Sequence, residues 1–195
     1  MYRQRLVLLA MCLTMMAAPA AAQQLTARAG LDLTNVSFED VDGTSAKPGV
    51  IAGVAATFKF VGPMQLQVEG LFAQKRISIV DGVLEDQLAF LDVPVTVRYG
   101  VYKSSSGRAA HAFGGGMFSV LLKAREKTGG ESADVTDALK RTNAGVVVGG
   151  DYEITNRWSV DGRYIFGLTG AYNAFGGGAI GKLRTIQISV GYRFR

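Results

Sequence analysis

The end of the chain, Thr185-Ile186-Gln187-Ile188-Ser189-Val190-Gly191-Tyr192-Arg193-Phe194, constrains the fold more than any other stretch. From Ile186 every second residue is large and apolar, and the residues between are polar or glycine. Such a period of two describes a strand with two unlike faces. Ten residues tilted by roughly 40° rise about 25 Å, the height of the apolar band on a transmembrane barrel. A lone strand cannot satisfy its backbone groups in a bilayer, so partner strands are required.

The first 22 residues are set aside as a signal peptide. Arg3 and Arg5 supply a charged n-region, Leu6 to Ala18 an apolar core, and Ala20-Ala21-Ala22 a small-residue cleavage site. The apolar run is too short to span about 30 Å as a helix. The expected domains are therefore residues 1–22, the signal peptide, and residues 23–195, one barrel. Cys12 lies in the leader, so the mature chain carries no thiol chemistry. Without Arg3 and Arg5, 19 basic face 16 acidic residues, scattered and without the basic block that nucleic-acid binding needs.

Period-two reading of the mature chain yields eight strands, with the charged face of each assigned to the interior. The first runs Leu25 to Val36, the second Gly49 to Phe60, the third from Met64, and the fourth through Leu91 to Tyr99. The fifth, Ala109 to Arg125, mixes Phe113, Met117 and Leu121 with His111, Ser119, Lys123 and Arg125 on one face, which the charges place inside. The sixth is Asn143 to Ile154, the seventh begins at Trp158, and the eighth is the closing stretch. On the sixth, Val148 is expected to face lipid and Gly149 the lumen, so that Gly149→Ser should be far milder than Val148→Arg.

Connections between these strands alternate in length. Val61-Gly62-Pro63, Ser104-Ser105-Ser106-Gly107 and Thr155-Asn156 are short; Glu39–Lys47, Ser78–Gln87, Glu126–Arg141 and Gly170–Lys182 are long. All long loops then lie at one end of an up-and-down meander, as in outer-membrane barrels with short periplasmic turns. Aromatic residues gather at the short-turn end: Phe60, Tyr99, Tyr152, Trp158, Tyr192 and Phe194, each on the outward face, form the expected girdle at headgroup height.

The stretch Phe90-Leu91-Asp92-Val93-Pro94-Val95 and the ending Ser189-Val190-Gly191-Tyr192-Arg193-Phe194 resemble the PorT-like and OmpX/OmpA-like group of small outer-membrane β-barrels. That resemblance extends over the mature length and implies an all-β, eight-stranded antiparallel up-and-down transmembrane barrel in the bacterial outer membrane. Arg195 departs from it, following Phe194 where a terminal aromatic is usual.

Catalytic chemistry has little to work with. Gly176-Gly177-Gly178-Ala179-Ile180-Gly181 has dinucleotide-fingerprint spacing, but a strand follows it rather than the helix that phosphates require. Gly114-Gly115-Gly116 sits inside the fifth strand and is read as a packing or bending device. His111 is the sole histidine, and Ser119 lies about 26 Å away along the same strand. No catalytic, cofactor-binding or metal residues are assigned, and His111 is read as a polar residue near the periplasmic rim.

The interior charges are Arg28, Asp32, Lys59, Glu69, Asp92, Arg98, Asp151, Glu153, Asp161, Arg163 and Arg193. An eight-stranded barrel is just wide enough for side chains to fill, so mixed signs point to mutual pairing rather than conduction. Within that lumen Arg98, Arg163 and Arg193 are expected among Asp92, Asp151, Glu153 and Asp161. The function expected is non-enzymatic: a structural or surface-interaction barrel, embedded in outer-membrane lipid, whose outer loops, with Tyr172 and Phe175 on one of them, are available to an extracellular protein or surface partner. Oligomeric state is left open, with a monomer favoured. Two alternatives stand beside it, a narrow porin or lipid-transport barrel and a soluble, lipocalin-like ligand carrier.

Overall fold

The computed structural model describes residues 24–37, 44–79, 84–128, 131–134, 136, 139–170 and 182–194. The expected signal peptide, the glycine run 176–181, and Tyr172 and Phe175 lie outside the described residues. Long strands are β1 (Gln24–Ser37), β2 (Thr44–Lys59), β3 (Met64–Ile79), β4 (Leu84–Lys103), β5 (Ala109–Thr128), β7 (Thr142–Glu153), β8 (Trp158–Gly170) and β9 (Lys182–Phe194). A short β6 (Glu131–Asp134) folds back on the end of β5. The eight strands expected from the sequence are thus β1–β5 and β7–β9.

Every pairing is antiparallel, in the ring order β4-β3-β2-β1-β9-β8-β7-β5, and β4 pairs with β5 to close it. Closure removes the free edges that would otherwise expose unpaired backbone groups to lipid. The ladder between β3 and β4 skips Val93 and Pro94, which suits a residue with no N–H to donate. Three tight turns join strands at one end, closed by Phe60 N–H to Met64 O at 3.1 Å, Ser104 N–H to Arg108 O at 2.8 Å and Ile154 N–H to Trp158 O at 2.9 Å.

The long-loop end departs from expectation. β2 already begins at Thr44, β3 runs to Ile79, β4 starts at Leu84, and β5 with β6 takes up much of Glu126–Arg141. Twenty residues in each of β4 and β5 rise about 50 Å when tilted, twice the height of an apolar band of about 25 Å. Strands would end where the apolar alternation ends only if they needed lipid contact, and they do not. Hairpin ladders satisfy the backbone equally well in water.

What changes beyond the bilayer is the polarity of the two faces. In the membrane section Leu31, Val54, Phe72, Val95, Val148, Phe166 and Ile188 are exposed on the outside, while charges are buried within. Toward the long-loop end the inside becomes apolar: Ile51, Ala73, Leu88, Phe90, Leu121, Ala124, Leu139 and Leu183 form one buried cluster. The outside there carries exposed Arg76, Lys123, Arg125, Lys182 and Arg184. Each face takes the polarity of its own solvent, lipid below and water above.

Lys123 and Arg125 are therefore corrections, since they point outward and not into the lumen. The cause is a β-bulge: β4 pairs Phe90 with Leu121 but Ala89 with Lys123, leaving Leu122 as the extra residue and reversing the alternation beyond it. Before the bulge, Phe113, Met117, Ser119 and Leu121 are all buried inside.

Candidate functional site: a charged lumen

Inward positions of the membrane section carry short polar and long charged side chains at alternate residues, and barrel closure brings strands distant in sequence into one bore. The charges fall into three groups. In the first, Arg163 bonds Asp161 through Nε at 2.8 Å and Glu69 through Nη1 at 3.0 Å. Arg28 completes the square, 3.1 Å from Asp161 and 3.5 Å from Glu69. Gln67 donates to Glu69 at 2.7 Å, Ser189 donates to Asp161 at 3.3 Å, and the Arg163 guanidinium lies 5.3 Å from the Phe113 ring centroid.

The second group sits toward the short turns. Arg98 grips Asp151 with both Nε and Nη2, at 3.1 and 2.7 Å, and reaches Gln65 with Nη1 at 2.9 Å. Glu153 lies 3.6 Å from Arg98 and is ion-paired with Arg193. His111 Nδ1 is 3.1 Å from Asp151 Oδ1. His111, Asp151 and Glu153 place ligand-type atoms within 4.8 Å of one another, but Arg98 and Arg193 already neutralise the two carboxylates, so the arrangement is that of an ion-pair hub.

The third group is toward the long-loop end, where Lys75 meets Asp92 at 3.0 Å and lies 4.8 Å from the Phe90 ring centroid. Asp32 is fully buried. Lys75 has the inward parity that the sequence gives the third strand, with Gln65, Gln67 and Glu69, but was not counted among the interior charges. Its signal was the unbroken parity from Glu69. Gln65, Gln67 and His111 were likewise not counted among the lumen partners.

Of the eleven interior charges read from the sequence, Arg28, Asp32, Glu69, Asp92, Arg98, Asp151, Asp161 and Arg163 are buried, and Glu153 and Arg193 are half-buried. Arg98, Arg163 and Arg193 meet Asp151, Asp161 and Glu153, whereas Asp92 pairs with Lys75 instead. Lys59 is a correction: it has inward parity but is the last residue of β2, and at the mouth it is exposed.

Gly149 is a further correction, because a Cβ there would stand 2.7 Å from Phe113 Cζ and 2.4 Å from the Gly162 carbonyl oxygen. Gly115 is similar, its hypothetical Cβ lying 2.1 Å from the Val95 carbonyl oxygen, which is how this glycine lets β5 approach β4.

Outside, Phe60, Tyr99, Tyr152, Trp158 and Phe194 are exposed near the short turns. Tyr192 is half-buried between Trp158 and Phe194, with ring centroids 5.0 and 5.6 Å away in edge-on geometry. Tyr102, not counted from the sequence, is also exposed at this end.

A closed ring of eight strands, apolar outside and charged inside over the membrane section, defines a transmembrane β-barrel of the bacterial outer membrane. The family model of the outer membrane protein beta-barrel domain matches residues 21–173, and the chain belongs to that family. The soluble lipocalin-like alternative is thereby overturned, since such a carrier would turn its apolar face inward throughout.

Among solved structures, the chain is similar to Neisserial surface protein A (NspA) at 13% identity, covering 87% of this chain and 97% of that one, with a TM-score of 0.53. Ail, the attachment invasion locus protein of Yersinia pestis, is 14% identical over 88% of this chain and 98% of that one, with a TM-score of 0.51. Its complex with the heparin analogue sucrose octasulfate matches at 15% identity, the same coverage and a TM-score of 0.50. At these identities the likeness is one of fold. None of the curated proteins matches the sequence.

Proposed function

We propose that the protein is a non-conducting, non-enzymatic barrel that works at the cell surface through the part of its wall standing above the membrane. The observation that carries this reading is the overshoot of β4 and β5, extended by β6 and filled by the apolar cluster around Leu88, Phe90 and Leu121. A packed wall of strand is a costly feature if insertion is the only task, and a rigid one if a partner must be met. Ail, of similar fold, has been captured with a heparin analogue, which supports a surface role of this kind. Exposed Arg76, Lys123, Arg125, Lys182 and Arg184 supply the chemistry for an anionic surface partner.

The lumen supports the closed reading over the narrow porin. A cavity of about 600 Å³ opens at the short-turn mouth, lined by Gln24, Gln65, His111, Glu153 and Arg193 among others. None of Arg28, Glu69, Asp161 and Arg163 lines it, and their close pairing supports a bore closed behind it. In planar bilayers we expect no large, steady single-channel current; such a current would favour the porin.

The surface role is tested by replacing residues 126–134 with a short turn and measuring adhesion of expressing cells to heparin-coated and to protein-coated surfaces. Loss of adhesion with an intact heat-modifiable barrel is the expected result. Equal adhesion before and after the replacement would overturn the reading.

A further inference from the structure

All three short turns carry exposed basic side chains: Lys59 before the β2–β3 turn, Lys103 and Arg108 about the β4–β5 turn, and Arg157 in the β7–β8 turn. The one carboxylate among the described residues of these turns and their flanking strand ends, Glu153, is half-buried and already bound by Arg193. The rim therefore presents four exposed cations and no exposed anion among the described residues. Three of the four follow or precede an exposed outward ring in the chain: Lys59 by Phe60, Lys103 by Tyr102 and Arg157 by Trp158.

We propose that this rim binds the anionic phosphate headgroups of phospholipids in the periplasmic leaflet. The proposal rests on the outer-membrane reading, which puts short turns at the periplasmic face. Interfacial rings sit at headgroup height, so a base next to such a ring is held at the level of lipid phosphates and not out in the periplasm. Arg157 shows the arrangement most fully. Its Nη1 donates to the Tyr192 hydroxyl at 3.4 Å, beside the edge-on pair of Trp158 and Tyr192. A guanidinium steadied there keeps other N–H donors for a phosphate, which it can take in bidentate fashion. At the β4–β5 turn the hydroxyls of Ser104 and Ser106, 3.1 Å apart, lie between Lys103 and Arg108 and add short donors for the same kind of group.

An acidic periplasmic protein is the competing occupant. It would gain from the charges but has no need for a ring beside three of the four bases, so the pairing of ring and base favours lipid.

The test compares the unaltered chain with a variant carrying Lys59→Gln, Lys103→Gln, Arg108→Gln and Arg157→Gln. Both are refolded into phosphatidylcholine vesicles with and without phosphatidylglycerol. Retained lipid is counted by native mass spectrometry after detergent extraction, and the gel shift on heating verifies that each chain has folded. Insertion into pure phosphatidylcholine reports on the barrel reading itself and is expected of both chains. The unaltered protein should prefer phosphatidylglycerol, less so as salt is raised. The fourfold variant should lose that preference by about several hundredfold, given about fivefold for each of the four charges at an anionic surface. Should it fail to fold, Arg157→Gln alone is expected to weaken the preference by about fivefold. Indifference of the unaltered protein to phosphatidylglycerol, or a preference that survives the substitutions, would overturn the proposal. Binding of soluble polyglutamate through the same four side chains without lipid preference would overturn it in favour of an acidic protein.

Discussion

Glu69 and Arg163, 94 residues apart in the chain, meet at 3.0 Å in the bore with neither side chain exposed to solvent. Glu69 also faces Arg28, so one carboxylate stands between two guanidiniums. Glu69→Ala would leave both cations short of a partner in a closed space. We expect a loss of about 3–5 kcal/mol, read from urea unfolding in lipid vesicles. A loss within about 0.5 kcal/mol, the range for surface changes, would mean that water reaches the group.

Asp161→Ala should behave similarly, since Asp161 closes the square from the other side, at 2.8 Å from Arg163 and 3.1 Å from Arg28. If the four charges act as a unit, the double substitution with Glu69→Ala will cost more than the two single losses added together, because it leaves two guanidiniums in the bore with no carboxylate between them. Simple additivity in the same unfolding experiment would argue for two independent pairs.

On β7, Val148 is exposed on the outer wall, and Val148→Arg should cost about 2–4 kcal/mol near mid-membrane. Gly149→Ser is not the mild change that parity alone suggests. Its new Cβ would press on Phe113 Cζ at 2.7 Å and on the Gly162 carbonyl oxygen, and overpacking of this kind costs about 1–3 kcal/mol. Refolding yields into vesicles should therefore fall for both variants.

The exchange of polarity above the bilayer is tested by two leucines. Leu88 is fully buried inside the upper barrel and Leu122 is exposed outside it. Leu88→Ala should cost about 2–5 kcal/mol, and Leu122→Ala should stay within about 0.5 kcal/mol, by urea unfolding. Equal effects would contradict the inward apolar cluster.

Because the ring is closed by β4 and β5, the folded chain should migrate faster unheated than boiled on a detergent gel. A single band before and after boiling would contradict closure in detergent.

The strands of the membrane section were legible from the sequence because period two is local: Ile186, Ile188 and Val190 declare their common face without reference to any other strand. Tight turns were legible for the same reason, through Gly62-Pro63 and Ser106-Gly107. Where the chain leaves lipid, the rule that apolar means outward reverses. Thus the apolar Leu88 and Leu183 go inside, and strands continue into segments that looked like loops. One inserted residue at Leu122 then reversed Lys123 and Arg125, an event that no alternation count can locate without the partner strand. Which charges meet across the bore was decided only by the ring as a whole. Register around the ring sets Lys75 on Asp92 and Arg163 on Glu69, and it sets the Phe113 ring against Gly149. A face is a property of one strand, but a contact across the bore depends on the stagger of all eight.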